Sequence, residues 1–320
     1  MQPMKHNNRN VFIRAYLFLL ISSLMYGGNV IAGRLMADQM PPFTLSAIRA
    51  ILGLGVLLPL AWAQIKKAPK PNKSELLQLL IIAILGVILP YNTLLLGLQH
   101  TTGTNASIIF ATCPAVTNIL LFIFYKVRLT KLQTIGLITS FMGLLVVFTQ
   151  GSLTHLFSFK LGLGEMILFI NVLSVGLYNL IGQNIMKKFS SLVTSVYVLV
   201  FSIIILVPMG VWQHGSFEWH LSLSQWLVVL YMGIFAAGLA FFLNLYGIDK
   251  IGSGQAAIFN NMQYVFSITL SIIILGESLA SYHWMGFILV ISGVILSLSK
   301  PPEKKAHTLS IKSSEQESVS

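Results

Sequence analysis

Windows of about twenty apolar residues recur along the whole of this chain, near 12–33, 43–64, 76–98, 104–125, 132–150, 163–186, 192–212, 224–247, 254–275 and 283–299, and almost no charged side chain falls inside them. A helix needs ~20 mainly apolar residues to cross the hydrocarbon core of a bilayer. Ten such crossings would use up most of the 320 residues and leave short loops, two modest tails and no soluble domain. Composition agrees: 55% of the residues are hydrophobic and 9% are charged, against roughly 25% charged in soluble domains. The fold class is therefore expected to be all-α integral membrane. Lys5 to Arg14 followed by the apolar run to Ile31 imitates a signal peptide, but no small-residue cleavage site leads into a polar domain, and the segment is read as the first span. Pro41 and Pro42 suit the first turn of the second span, where a missing amide donor costs little.

The net charge of +11 would raise the question of nucleic acid in a soluble protein. Here the basic residues sit between the apolar windows and in the tails, so they read as topology signals and no nucleic-acid partner is expected. With the N-terminus in the cytoplasm, Lys66, Lys67, Lys70 and Lys73 share one inside loop, Lys126, Arg128 and Lys131 the next, then Lys187 with Lys188, then Lys250. Adding the tails, 17 of the 20 basic residues lie inside, which predicts both termini cytoplasmic in a bacterial-type inner membrane. Residues 1–11 and 300–320 are expected to be cytoplasmic tails, the second of them disordered for want of apolar periodicity. The lone Cys113 lies in an apolar window and is expected to be a packed core thiol.

Shifted by 150 residues, the chain lines up with itself. Asn29 meets Asn179, Gly97 meets Gly247, Ala106 meets Ala256, Gly136 meets Gly286 and Gly143 meets Gly293. The repeats are placed at 12–150 and 162–299. Each holds five windows, an odd number, so the second copy would enter the membrane upside down. That predicts ten transmembrane helices as two inverted-topology five-helix repeats, with a site near the midplane at the repeat interface.

Several short patterns occur in order along both halves: Tyr26-Gly27-Gly28-Asn29, Pro41-Pro42 followed by Arg49-Ala50, Gly97-Leu98, Thr104-Asn105-Ala106 and Pro114, then Gly247, Ala256-Ala257 and Leu275-Gly276-Glu277-Ser278-Leu279. In these the chain resembles the EamA-type family of the drug/metabolite transporter superfamily. It departs from the family pattern in having Tyr26 where an aromatic such as Trp is usual, Val127 opposite Glu277 in the repeat, and Tyr264 opposite Pro114. The resemblance implies a carrier exporting small metabolites such as amino acids, nucleosides or drug-like solutes.

Polar side chains in hydrocarbon are costly and normally face a bundle interior or a wet cavity. The candidates for solute contact are Asn29, Asn92, Asn118, Asn179, Asn244, Asn260 and Gln263, whose amides both donate and accept, with Tyr26, Tyr91, Tyr178 and Tyr264 as flat walls with a polar tip. The competing role for each amide is to bind helix to helix. Pro90 and Pro114 interrupt backbone ladders and are candidate hinges. Arg49, a hinge or gating candidate, stands ~9 Å into its helix, near enough to the interface to extend its stem outward toward Asp38; its role is read as structural, with anion recruitment as the alternative. Glu277, at a helix end, is a capping or gating candidate.

Metal and cofactor sites are not expected: the acids fall at or beyond helix ends and the histidines are scattered. An ATP-driven pump would need a Gly-x-x-x-x-Gly-Lys-Ser/Thr loop, and the sequence contains none. The expectation is a non-enzymatic secondary or facilitative carrier of a solute that amides and aromatics hold without a buried counter-charge. The other class in contention is a lipid-handling or scaffold protein of the bilayer. Reconstituted vesicles should take up one or more amino acids, nucleosides or cationic drugs saturably, and Asn29→Ala combined with Asn179→Ala should abolish that uptake. Lipid movement with no solute uptake is the result expected of the other class.

Overall fold

A computed structural model describes residues 6–126, 130–149, 151, 162–185, 188–214, 221–251 and 262–297. Among these residues all regular structure is helical. In chain order the helices are α1 (His6–Met36), α2 (Pro42–Lys67), α3 (Lys73–Leu98), α4 (Gly103–Phe110), α5 (Cys113–Tyr125), α6 (Lys131–Phe148), α7 (Leu163–Ile185), α8 (Ser191–His214), α9 (Leu223–Ile251), α10 (Met262–Leu275) and α11 (Ser281–Ser297). Among the described residues six stretches are long and apolar enough to cross a membrane: Val11–Met36, Pro42–Lys67, Lys73–Leu98, Gly103–Phe124, Ser191–Gln213 and Leu223–Ile251. Helix α1 starts at His6, ahead of the window expected from 12.

Apolar side chains point outward as well as inward. Leu60, Ile138, Ile204, Ile273 and Ile288 are all more than half exposed, and Trp62, Trp212 and Trp284 stand exposed near helix ends. A surface so apolar is unstable in water and suits lipid, with tryptophans at the headgroup level. The chain is a multi-pass membrane protein.

Lipid tails are as apolar as leucine, so the helices must be held by close packing and polar contacts. Glycine provides the closeness. Helices α6 and α11 run antiparallel: a methyl added to Gly143 would come within 2.7 Å of the Gly286 carbonyl oxygen, and one on Gly293 would meet the Gly136 carbonyl. Between these two contacts the Ser140 hydroxyl donates to the Val290 carbonyl at 3.3 Å. Helices α2 and α8 are also antiparallel, joined where Thr44 donates to the Gly210 carbonyl at 3.0 Å and where Ser190 donates to Gln64 at 2.7 Å. Two further contacts form a matched pair: Gly97 of α3 packs on Leu168 of α7, and Gly247 of α9 packs on Leu19 of α1.

The internal repeat expected from the sequence fits these contacts, with one adjustment. Gly97 and Gly247 are 150 apart, whereas the leucines they touch are 149 apart, as are Gly27 and Gly176, which occupy matching places against α10 and α5. In register with the contacts, Asn29 corresponds to Tyr178 rather than to Asn179. The expected amide pair is thereby corrected to an amide and a phenol.

Two helices widen at corresponding points. Helix α3 has a π-helical turn at Ile84–Ile88 and α9 a longer one at Tyr231–Ala240. In α3 the turn lies just before Pro90, which has no N–H for the Gly86 carbonyl, and the Leu89 N–H donates to Ile84. Pro114 acts differently: the helix breaks just before it, at Ala111 and Thr112, and restarts as α5.

Replacing Gly143 by Leu forces a side chain into the α11 backbone. Overpacking of this kind costs at least about 1–3 kcal/mol, so the purified protein should melt lower than wild type in detergent. Gly55 has nothing within 4 Å of its missing Cβ, and Gly55→Ala should instead raise the melting temperature slightly, since Ala gains about 0.5–1 kcal/mol over Gly inside a helix.

Candidate functional site

Helix α2 enters the bundle on Pro42, and two turns later it carries Arg49 inward. This side chain is 0% exposed. Its Nη2 donates to Asn29 Oδ1 of α1 at 2.9 Å, and its guanidinium carbon lies 4.1 Å from the centroid of the Tyr91 ring of α3. The sequence reading had the stem extending outward toward Asp38. Instead Asp38 faces Arg34, one turn away on its own helix, at 3.4 Å, and Arg49 folds across onto α1 and α3. The expectation of a site without a buried charge is corrected with it.

Nε and Nη1 of Arg49 have no hydrogen-bond partner among the described residues. The same holds for the hydroxyls of Tyr91 and Tyr178 and for Ser46 Oγ, one turn before Arg49 on the same face of α2. Tyr26 lies within electrostatic range of Arg49, Tyr91 and Tyr178. A buried polar group without a partner costs about 1–3 kcal/mol, and a charged one more. Several of them gathered at one place mark a site organised for something other than its own stability.

The wall opposite Arg49 comes from the second half of the chain. The Tyr178 ring of α7 rests on Gly86, where a Cβ would lie 2.7 Å from the ring, and it stacks with Phe241 of α9 at 6.3 Å between centroids. Gly86 belongs to the π-turn just before Pro90, so that turn shapes the surface on which the tyrosine sits. Asn92 donates through Nδ2 to the Ile88 carbonyl at 2.7 Å and leaves its Oδ1 without a partner among the described residues. Asn171, which the sequence reading passed over, donates to the Pro90 carbonyl at 2.8 Å and to Thr93 Oγ1 at 3.0 Å. Its signal was the same as that of the amides chosen: an Asn inside an apolar window.

The structure thus brings Tyr26, Asn29, Arg49, Tyr91 and Tyr178 together. The remaining candidates stand elsewhere or have other duties. Tyr264 packs in an apolar cluster with Cys113, whose thiol is buried and free. The Gln263 carbonyl abuts Gly27, beside Tyr26. Asn118 is half-buried in α5 and Asn244 is buried in α9. Asn260 lies outside the described residues, as do the side chains of Pro114 and Asn179.

Glu277 takes a role in joining the two halves. Its carboxylate accepts from the N–H groups of Gly103 and Thr104 at 2.9 and 3.0 Å and from the Thr104 hydroxyl. A carboxylate is favoured at a helix start, where backbone donors are unsatisfied. Close by, Thr101 donates to Glu165 at 2.6 Å. These links tie the loops at one end of the bundle.

Chemically, the cluster offers guanidinium N–H groups, three phenols and an amide at the meeting of α1, α2, α3 and α7. It has no arrangement of nucleophile and base, and among the described residues no group of acids, histidines and cysteine could hold a metal ion.

Comparison with known proteins gives the family. The chain is 28% identical over 294 residues to the uncharacterized transporter YetK of Bacillus subtilis (strain 168), covering 92% of this chain and 89% of that protein. To the uncharacterized transporter YyaM of the same organism it is 27% identical over 297 residues, covering 91% and 94%, and to an uncharacterized transporter of Archaeoglobus fulgidus 25% identical, covering 90% and 98%. A solved crystal structure shares the fold at a TM-score of 0.63 and 17% identity, over 89% of this chain and 98% of the other. The model of the EamA-like transporter family matches twice, at residues 13–149 and at 162–299. With both halves matched and a polar cluster between them, the chain is a membrane transporter that belongs to the EamA-like transporter family.

Proposed function

We propose that this protein carries a small metabolite across the cell membrane by alternating access, using ten transmembrane helices arranged as two inverted five-helix repeats. Both termini face the cytoplasm, and export is the working direction, as the family resemblance implies. The solute sits at the cluster around Arg49, Tyr91 and Tyr178, where the halves meet.

One observation carries the reading: contacts between the halves survive exchange of one half for the other. The pair Gly143–Gly286 becomes Gly293–Gly136 under a shift of 150, and Ser140 faces Val290, its own counterpart. A pairing in which each partner contacts the other's counterpart in reverse order is what a two-fold axis across antiparallel helices produces. Such an axis in the membrane plane makes the two faces of the bundle near-equivalents, so a conformation closed at one end has a partner closed at the other. The charge bias of the loops supports the orientation.

A carrier of this kind must open each end in turn. In a Cys113→Ser background, Gln39→Cys with Gln225→Cys brackets one end, where the two glutamines are hydrogen-bonded at 2.8 Å. Gln64→Cys with Ser190→Cys brackets the opposite end of α2. A short cleavable thiol cross-linker at either pair should stop uptake of the solute returned by the vesicle screen, and reduction should restore it. Unchanged uptake with either end locked would overturn alternating access.

A further inference from the structure

Arg49 is the one charged side chain among the buried described residues, and its charge is unanswered. Each described carboxylate is engaged elsewhere: Asp38 with Arg34, Glu75 with Lys188, Asp249 with Lys250, Glu165 with Thr101 and Glu277 with the start of α4. An isolated buried cation is severely destabilising, and the stacking on Tyr91 and one hydrogen bond donated to Asn29 compensate it only in part. Nε and Nη1 remain without acceptors, and the hydroxyls of Tyr91, Tyr178 and Ser46, all without partners among the described residues, can donate as well. Donors therefore predominate in the cluster, and what it lacks is an anion.

Resting on the carrier reading, we infer that Arg49 is the binding residue for a carboxylate of the cargo, so that the transported solute is a small monocarboxylate, amino acids included. A carboxylate matches a guanidinium by taking two N–H bonds at once. Its single charge balances the single buried cation, whereas a phosphate carries about −1.5 to −2 at neutral pH and would need a second cation. The second half supplies none at the corresponding place: position 199, a shift of 150 from Arg49, is a fully buried leucine. The aromatic rings of Tyr26, Tyr91, Tyr178 and Phe241 leave the rest of the solute an apolar surround with phenolic tips.

A purely structural Arg49, bolting α1 to α3, makes opposite predictions, and two measurements separate the roles. The first is uptake into vesicles holding the purified full chain, with radiolabelled leucine, phenylalanine, glutamine and benzoate as carboxylates and uridine and adenosine as uncharged probes. At least one carboxylate should enter saturably, in competition with its acid and not with its amide or methyl ester. Arg49→Met and Arg49→Gln should reduce that uptake by at least about tenfold, the loss expected when one member of a buried charge pair is removed, and Arg49→Lys should retain an intermediate rate. The second is thermal unfolding in detergent without solute. Removing a cation that has no counter-charge relieves the protein, so Arg49→Met should melt roughly 2–4 °C above wild type; the carboxylate should raise the melting temperature of wild type and not of the variant. A lower melting temperature for Arg49→Met without solute, or carboxylate uptake indifferent to the substitutions, overturns the assignment. Saturable uptake confined to the uncharged probes overturns it too and leaves the carrier reading standing. No saturable uptake of any probe overturns both.

Discussion

Inside a bilayer no water replaces a backbone hydrogen bond that the helix cannot make, and Pro90 removes one from the middle of α3. Much of the candidate site gathers around that proline. The helix widens at Ile84–Ile88, Asn92 donates to the Ile88 carbonyl, and Asn171 reaches over from α7 to the Pro90 carbonyl. The widened turn presents Gly86, on which the Tyr178 ring rests, while Asn171 fixes α7 against the same face. Tyr91, the residue after the proline, is thereby set beneath the Arg49 guanidinium. Groups from both halves of the chain thus meet around Pro90.

Membrane character, the internal repeat and the prolines were legible because each rests on a property that burial does not disguise. Apolar length is set by bilayer thickness, and glycine recurs where backbones must touch, as at Gly136, Gly143, Gly286 and Gly293. The one-residue difference in register at the start of each half was not legible. Leucines and isoleucines match at either offset, and two asparagines 150 apart favoured the wrong one. Only the contacts of Gly27, Gly176, Leu19 and Leu168 reveal it. The long widened turn of α9 also has no sequence signal as plain as Pro90, for no proline lies within Tyr231–Ala240.

For the site, residue identity was legible and roles were not. Tyr26, Asn29, Tyr91 and Tyr178 stood out as polar groups in apolar windows, and the structure gathers them. Arg49 was equally visible, but its depth of about two turns allowed two directions for a long flexible stem. What decides is the neighbourhood: Asp38 is engaged by Arg34, and Asn29 and the Tyr91 face lie within reach on adjacent helices. Contacts of that kind depend on how α1 and α3 pack on α2, which no spacing in the sequence states. Glu277 was read as a cap from its place at a helix end, yet the helix it caps belongs to the other half, 174 residues away for Gly103.

The two halves share a backbone plan while their chemistry differs, and the difference falls at the site. Where the first half has Arg49 and Tyr91, the second has Leu199 and Phe241, at the same shift. Helix α2 nonetheless pairs with its own counterpart: it meets α8 so that Thr44 lies against Gly210 and Ser190 against Gln64. Continuing that register places Leu52 opposite Ser202, 150 residues on, and Arg49 less than one turn from that crossing. Arg49 thus stands close to the middle of the α2–α8 pairing. A matching arginine at position 199 would put two like charges at the same crossing, with repulsion in a low dielectric added to the cost of burying each. With a single cation, the frame is nearly symmetric while its buried charge is one-sided.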